Sequence, residues 1–432
     1  MMLKAGTILL CVLGIWLSHG YAQQPVPVKP RILISTDIGG TDPDDNQSLT
    51  HLMMYSDKFM IEGLVSSPSY GKGSKAEILR MIGLYEQDYP KLKAHQSGLA
   101  SPDHLRSVTK QGRQGNAPFA GYTKATEGSE WIIRCARSEN TLPLWVLCWG
   151  GLEDLAQALH DAPDIESKIR VYWIGGPNKK WSANSYAYIA EHCPNLWFIE
   201  VNSSYYGLFS DNENLDSVRT TDYYSKYIKG AGSLGKDFKK YYDGHVKMGD
   251  TPSLLYMMDG DPNIPGRESW GGSFEQLYSS PRVVFDRATN VKDTVAFCTV
   301  VEFRLSGPEV NIPTDSACFW METPFKNTVQ KWAGYYLGNG RFGLKYVPKQ
   351  AEVVNYKFRS AIPGFKASEG TLVVTNLWPG KQHSTNYSLG NHWYTDKNDL
   401  QLFEGKIQGG KTVSKWRTEL LLDWAKRWEW LK

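Results

Sequence analysis

From Arg31 onward, apolar runs too short for helices alternate with segments of helical spacing, and that alternation leaves few folds open. Ile32 to Ile34, Met60 to Ser66, Leu142 to Cys148, Ile169 to Ile174 and Leu196 to Val201 read as strands. Lys75 to Gln87, Ser129 to Ala136, Glu153 to Ala162 and Ser182 to His192 read as helices. Strands alternating with helices predict an α/β fold, a mostly parallel sheet flanked by helices with right-handed crossovers. Residues 96–128 are polar and glycine-rich, without periodicity, and read as a surface excursion. After Asn290 the texture changes to alternating β-type runs (TVAFCTVVEFRL, EVVNYKF, GTLVVTN) broken by Gly, Pro and Asn. An amphipathic helix, Thr418 to Leu431, closes the chain. The expectation is an α/β domain over 31–290, a β-rich insert or subdomain over 291–410, and a closing segment over 411–432.

The first strand stops in a Gly/Pro turn that holds Asp37, Asp42, Asp44 and Asp45, four aspartates within nine residues. Carboxylates that close repel by about 1 kcal/mol per pair, more when partly desolvated. A cation is the simplest resolution, and oxygen ligands without Cys or His nearby favour Ca²⁺ or Mg²⁺ over zinc. Helical spacing at Leu49, Leu52, Met53 and Tyr55 puts the acidic turn at a strand's carboxyl end, where open α/β sheets bind ligands. The competing explanation is a solvated loop that caps the next helix.

Asp37, a Gly turn and the Asp44–Asp45 pair together resemble the calcium-binding signature of nucleoside hydrolases. The longer stretch, TDIGGTDPDDNQSL and then YSDKFMIEGLVSS, resembles a secreted bacterial family described as cellulose-binding with a nucleoside-hydrolase-like domain. The spacer before the Asp pair is longer than in nucleoside hydrolases, which leaves Asp42 and Asp44 as rivals for the inner position. The resemblance implies a Ca²⁺ site of Asp37, Asp45, Asp250 and the Trp149 carbonyl. For Asp250, in Asp-Thr-Pro-Ser, a plain helix N-cap is the alternative. Glu200-Val-Asn202 resembles the pair that holds sugar hydroxyls in nucleoside hydrolases. Asn178 and Asn184, in GGPNKKWSANSY, are further hydroxyl ligands or simply loop residues. The closing helix resembles one that completes the nucleoside-hydrolase-like domain, which implies that the β-rich segment is inserted rather than appended. Where nucleoside hydrolases that protonate a purine commonly carry His before the late aspartate, this chain has Gly249. Glu200, His245 and Glu268 are the alternative acids.

Lys4, the apolar run Ala5 to Leu17 and Gly20-Tyr21-Ala22 read as a signal peptide over 1–22, with a Pro-rich linker at 23–30. Ile8-Leu9-Leu10 before Cys11 lacks the small residues of a lipoprotein site, so export without a membrane anchor is expected. A net charge of +3 with no Lys/Arg block argues against nucleic acid. The 16 Trp and 24 Tyr suit sugar faces or a Trp-rich core equally. Cys135, Cys148, Cys193, Cys298 and Cys318 read as buried thiols, with Cys298–Cys318 the one pair worth testing as a bridge. A homo-oligomer stays open. The expected function is a secreted Ca²⁺-dependent glycosidase that cleaves furanosyl or related bonds of poly- or oligosaccharides, with Asp37 and Asp44 taking the proton of a directly attacking water. The alternatives are a non-catalytic carbohydrate-binding protein on the same scaffold and a nucleoside hydrolase.

Overall fold

The computed structural model describes residues 29–40, 42–210 and 218–432. The expected signal peptide and all but the end of the linker lie outside the described residues. Strands β1 (Arg31–Thr36), β2 (Met60–Ser66), β3 (Thr109–Gln111), β4 (Leu144–Cys148), β5 (Ile169–Ile174), β6 (Trp197–Val201) and β7 (Phe274–Gln276) build a first sheet. β8 (Ser279–Ser280) belongs to a small two-stranded pair. A second sheet takes β9 (Arg282–Phe285), β10 (Thr294–Ala296), β11 (Val300–Ser306) and β12 (Ala317–Phe325). It continues through β13 (Thr328–Gly338), β14 (Arg341–Tyr346), β15 (Val353–Arg359) and β16 (Ser368–Thr375). β17 (Tyr387–Ser388) pairs with β8, and β18 (Trp393–Asp396) returns to the first sheet.

The first sheet has the order β3-β2-β1-β4-β5-β6-β18-β7, with every neighbour parallel except β7. This is the mostly parallel arrangement expected. The chain runs outward from β1 to β3 and then restarts at β4 on the other side of β1, so the order reverses between β1 and β4. β1 is buried along its whole length, as a central parallel strand covered on both faces must be. Ile32 and Ile34 pack into one layer and Leu33 into the other, the two-residue alternation of a strand. The Ile32 layer is covered by α1 (Asp44–Met54), α2 (Lys75–His95) and α3 (Pro102–Ser107). The Leu33 layer is covered by α4 (Glu127–Ala136), α5 (Glu153–Asp161) and α7 (Ala183–His192), the last preceded by the short α6 (Gly176–Trp181). α8 (Gly232–Phe238), α9 (Thr251–Met258), α10 (Lys411–Ser414) and α11 (Arg417–Glu429) complete the Ile32 side.

The second sheet is mostly antiparallel, in the order β10-β16-β15-β12-β13-β14-β11-β9. Phe303 on β11 lies 5.0 Å from Phe358 on β15, although three strands separate them in that order. The sheet therefore curls onto itself like a barrel, and its aromatic interior is continuous with the Leu33 layer. α10 and α11 pack into the Ile32 layer of the first sheet. Against the expected limits of the β-rich segment, β9 already belongs to the second sheet before residue 291, and β18 is back in the first well before 411. Edge pairing, invisible to local pattern, sets both limits. Two further corrections are local. The 96–128 excursion contains α3 and the edge strand β3, and α2 continues past Gln87 through Pro90 because Tyr85, Asp88 and Leu92 are held in the core. All five described cysteines are buried and free, Cys298 and Cys318 included.

A buried ion pair of the first sheet lies against the insert. Lys179 Nζ lies 2.6 Å from Glu200 Oε1, both side chains wholly buried, and the ammonium faces the rings of Tyr186 (3.8 Å) and Trp378 (4.4 Å). Tyr186 donates to the other Glu200 oxygen at 2.7 Å and Asn202 Nδ2 to Oε1 at 2.8 Å. Removing one member of such a pair leaves an uncompensated charge. Glu200→Gln is therefore expected to cost about 3–5 kcal/mol in denaturant unfolding; a loss below about 1 kcal/mol would show the pair to be dispensable.

Candidate functional site

β1 ends at Thr36, and the chain turns through Asp37 with Gly40 N–H donating to the Asp37 carbonyl at 3.1 Å. Gly39 holds φ +88°, a backbone conformation that glycine adopts without a Cβ clash. Asp44 and Asp45 then form the first turn of α1, where the helix dipole favours negative charge. Thr36 Oγ1 donates a short hydrogen bond to Asp45, and Ile38 N–H donates to the same hydroxyl at 3.1 Å. β4 ends beside β1 in Trp149-Gly150. A Cβ on Gly150 would stand 2.6 Å from the Cβ of Asp37, so the glycine is what lets Asp37 occupy this corner.

The late aspartate arrives from α9. Asp250 occupies the N-cap position, yet its side chain makes no cap hydrogen bond. Its Oδ2 is buried without any hydrogen-bond partner. Asp44, Asp45 and Asp250 bring carboxylate oxygens within 4.8 Å of one another. Asp37 and the Trp149 residue line the same cleft, of about 330 Å³. The Trp149 carbonyl accepts from Asn178 Nδ2 at 2.7 Å, and Ser69 donates to Asn178 Oδ1 at 2.6 Å. Asn178 therefore sits beside the acidic cluster. Oxygen-only donors and an unpartnered buried carboxylate oxygen fit a hard divalent cation.

The other expected residues do not enter this cleft. Glu200 is committed to Lys179 and Tyr186. Asn202 accepts from Gly176 N–H at 3.1 Å and donates to Glu200, and it opens onto a neighbouring depression instead. Asn184 Nδ2 donates to the Ala117 carbonyl at 2.9 Å, tying the 96–128 segment to α7. Of the alternative acids, His245 is exposed and Glu268 is exposed and paired with Lys415; neither lines the cleft. A Cβ on Gly249 would meet Asp44 Oδ2 at 2.4 Å, so no side chain fits there while Asp44 keeps its place.

Several cleft residues escaped sequence reasoning. Lys247 contacts Asp42 and stands 3.5 Å from Asp44, bringing one positive charge to the cluster; its position two residues before Gly249-Asp250 was the available signal. Tyr70 and Trp181 line the cleft with ring centroids 4.5 Å apart and tilted by 46°, and Trp181 stacks at 4.6 Å on the buried Trp332 behind it. Phe325, Gln330 and Lys349 come from the second sheet, whose β12–β13 hairpin reaches over the cleft.

Residues 31–274, more than half of the chain, match the family described as cellulose-binding Sde182, nucleoside hydrolase-like domain. The chain belongs to this family. Among solved structures, it is similar to a nucleoside hydrolase-related hypothetical protein from Saccharophagus degradans that is associated with carbohydrate metabolism. That likeness has 18% identity, covers 80% of this chain and 99% of the other, and has a TM-score of 0.50. An inosine-uridine preferring nucleoside hydrolase from Bacillus anthracis matches at 16% identity over 59% of this chain and 87% of its own, with a TM-score of 0.37. An inosine-guanosine nucleoside hydrolase matches at 13% identity over 59% and 84%, with a TM-score of 0.38. No curated protein matches the chain.

In this member of the Sde182 family, burial raises every carboxyl of the cluster. Asp37 is pushed up to about 7 by burial and by the charge of Asp44. Asp44 is pushed up to about 8, chiefly by burial, against the opposing pull of Lys247. Asp45 and Asp250 are raised well above the ordinary value by burial and by the neighbouring aspartates. Between the unfolded value near 3.8 and these folded values, the native state holds protons that the unfolded chain has released. Stability from these groups is thus present at low pH and lost as pH rises through about 7 to 8. Chelator-treated protein is expected to melt at a falling temperature from about pH 5 to pH 8, with added Ca²⁺ restoring far more at pH 8 than at pH 5. A Ca²⁺ effect equal at both pH values would show that the cluster does not bind the ion.

Proposed function

We propose that this protein is a Ca²⁺-dependent glycoside hydrolase that acts on furanosyl or related glycosidic bonds of oligo- or polysaccharides. The single observation behind this reading is the buried, unpartnered oxygen of Asp250 facing Asp44 and Asp45. An isolated buried carboxylate is costly unless something positive meets it. Asp37, Asp45 and Asp250, with the Trp149 carbonyl, would hold the ion, with Asp44 beside them. When bound, Ca²⁺ supplies charge that orders vicinal sugar hydroxyls and acidifies an adjacent water. Asp37, fixed by Gly40 and Gly150, accepts the proton as water attacks an oxocarbenium-like carbon; the bond to the leaving sugar oxygen breaks, that oxygen takes its proton from solvent, and the single displacement inverts the anomeric centre. Tyr70 and Trp181 offer flat faces for a sugar ring. The family description and the expected export of the chain agree with a polysaccharide met outside the cytoplasm.

A second reading, a carbohydrate-binding protein without catalysis, is favoured by one observation. None of Glu200, His245 and Glu268 reaches the cleft, and Gly249 has no room for a side chain beside Asp44. A leaving sugar oxygen needs a proton donor.

Calorimetric titration of Ca²⁺ into chelator-stripped protein tests the first reading. Wild type is expected to bind one ion per chain, and Asp250→Asn to bind at least about tenfold more weakly, because a carboxylate ligand becomes a neutral amide. Absence of binding in wild type would remove the ion and the mechanism. With a cleaved substrate in hand, proton NMR during turnover is expected to show the inverted anomer first; the retained anomer would exclude direct water attack.

A further inference from the structure

We infer that the acidic cleft is one end of a longer groove along the seam between the two sheets, and that this groove binds a chain of sugar units rather than a single sugar or a nucleoside. The inference rests on the glycan reading above and deepens it.

Three depressions share walls. The acidic cleft shares Tyr206 and Lys349 with a second depression of about 180 Å³. It shares Lys180, Phe325, Gln330 and Lys349 with a third, of about 220 Å³. The second and third meet at Lys349 and Gln350. Lys349 thus stands at the junction of all three, on the loop between β14 and β15.

The seam has one wall from each sheet. The first sheet gives Tyr206 and the Asn202-Ser203 turn, and the insert gives Phe297, Gln350 and Asn376. Amides of exposed Gln350 and Asn376 can donate to and accept from sugar hydroxyls. The rings of Tyr206 and Phe403 offer apolar faces at the same place. Alternating amides and rings suit a polyhydroxylated chain, whose units present hydroxyl edges and C–H faces in turn. The wall from the first sheet is fixed: Asp396 on β18 accepts from the N–H groups of Asn202, Ser203 and Ser204 at 2.8, 2.7 and 3.1 Å. Binding at the second depression therefore requires little ordering of the turn that forms its floor. A nucleoside would fill the acidic cleft and leave the second depression unused.

Calorimetry on the full, Ca²⁺-saturated chain tests this with two probe series, cello-oligosaccharides and 1,5-linked arabino-oligosaccharides, each of two and six units. In the series that binds, the six-unit probe is expected to bind at least about tenfold tighter than the two-unit one, a difference of 1.4 kcal/mol. Asn376→Ala with Phe403→Ala, both outside the acidic cleft, is expected to shrink that gain below about twofold. Should the double variant fold poorly by thermal melting, Asn376→Ala alone is expected to cut the gain at least about threefold. Equal affinity for both lengths, or a gain that survives the substitutions, overturns the groove and leaves the glycan reading standing. No binding in either series, with Ca²⁺ bound, overturns the glycan reading itself.

Discussion

Mutual repulsion among buried carboxylates is the constraint that the rest of this structure answers. At 4 Å two like charges cost about 1 kcal/mol in water and about 4 kcal/mol at the effective dielectric of a protein surface. Asp37, Asp44, Asp45 and Asp250 are gathered where the strand order reverses between β1 and β4, the one place in an open α/β sheet where loops diverge and leave a crevice. Local devices make the gathering tolerable: the Thr36 hydroxyl on Asp45, the first turn of α1 and the ammonium of Lys247. None of them reaches the free oxygen of Asp250. That oxygen is why the cluster reads as a cation site rather than as an acidic helix cap.

Around this centre the chain spends buried charge on geometry. The Lys179–Glu200 pair sits where α6, β6 and the insert meet, and Asp396 accepts three backbone N–H groups from the turn after β6. Burial pushes Asp396 up to about 6, its hydrogen bonds pulling the other way. These contacts lie within the parallel-sheet part, and the insert packs against them through Trp378, whose ring faces the Lys179 ammonium. The insert is thus a wall of the site, supplying Phe325, Gln330 and Lys349 to it.

How much of this was legible in the sequence depended on the range of the interaction. β2 and β5 were readable to the residue, because both are apolar runs ended by Gly, Ser or Pro. The acidic turn was readable because its charges are crowded in sequence as well as in space. Asp250 was found by resemblance, but its lack of a capping bond could come only from coordinates. The pairing of Glu200 was hidden for a clear reason. It lies within β6, and its partner Lys179 lies on a different element, so the triplet Glu200-Val-Asn202 gave no hint that its charge was already matched. β3, three residues long and without alternation, exists only because the edge of β2 accepts it. The hairpin over the cleft was legible as strands, but not as a roof, since nothing local records which sheet a strand will cover.

The return of β18 and the closing helix has a consequence for the order in which the molecule can be made. β18 is the parallel neighbour of β6, yet nearly two hundred residues are synthesised between them. Trp424 and Trp428 on α11 are buried against elements from the beginning of the chain, and Arg427 pairs with Asp57. A growing chain therefore shows the open edge of β6 until β18 emerges, and an uncovered apolar layer until α11 does. Contacts of such sequence separation are slow to form and prone to capture by other chains. The domain cannot close piece by piece behind the ribosome; its folding waits on β18 and α11.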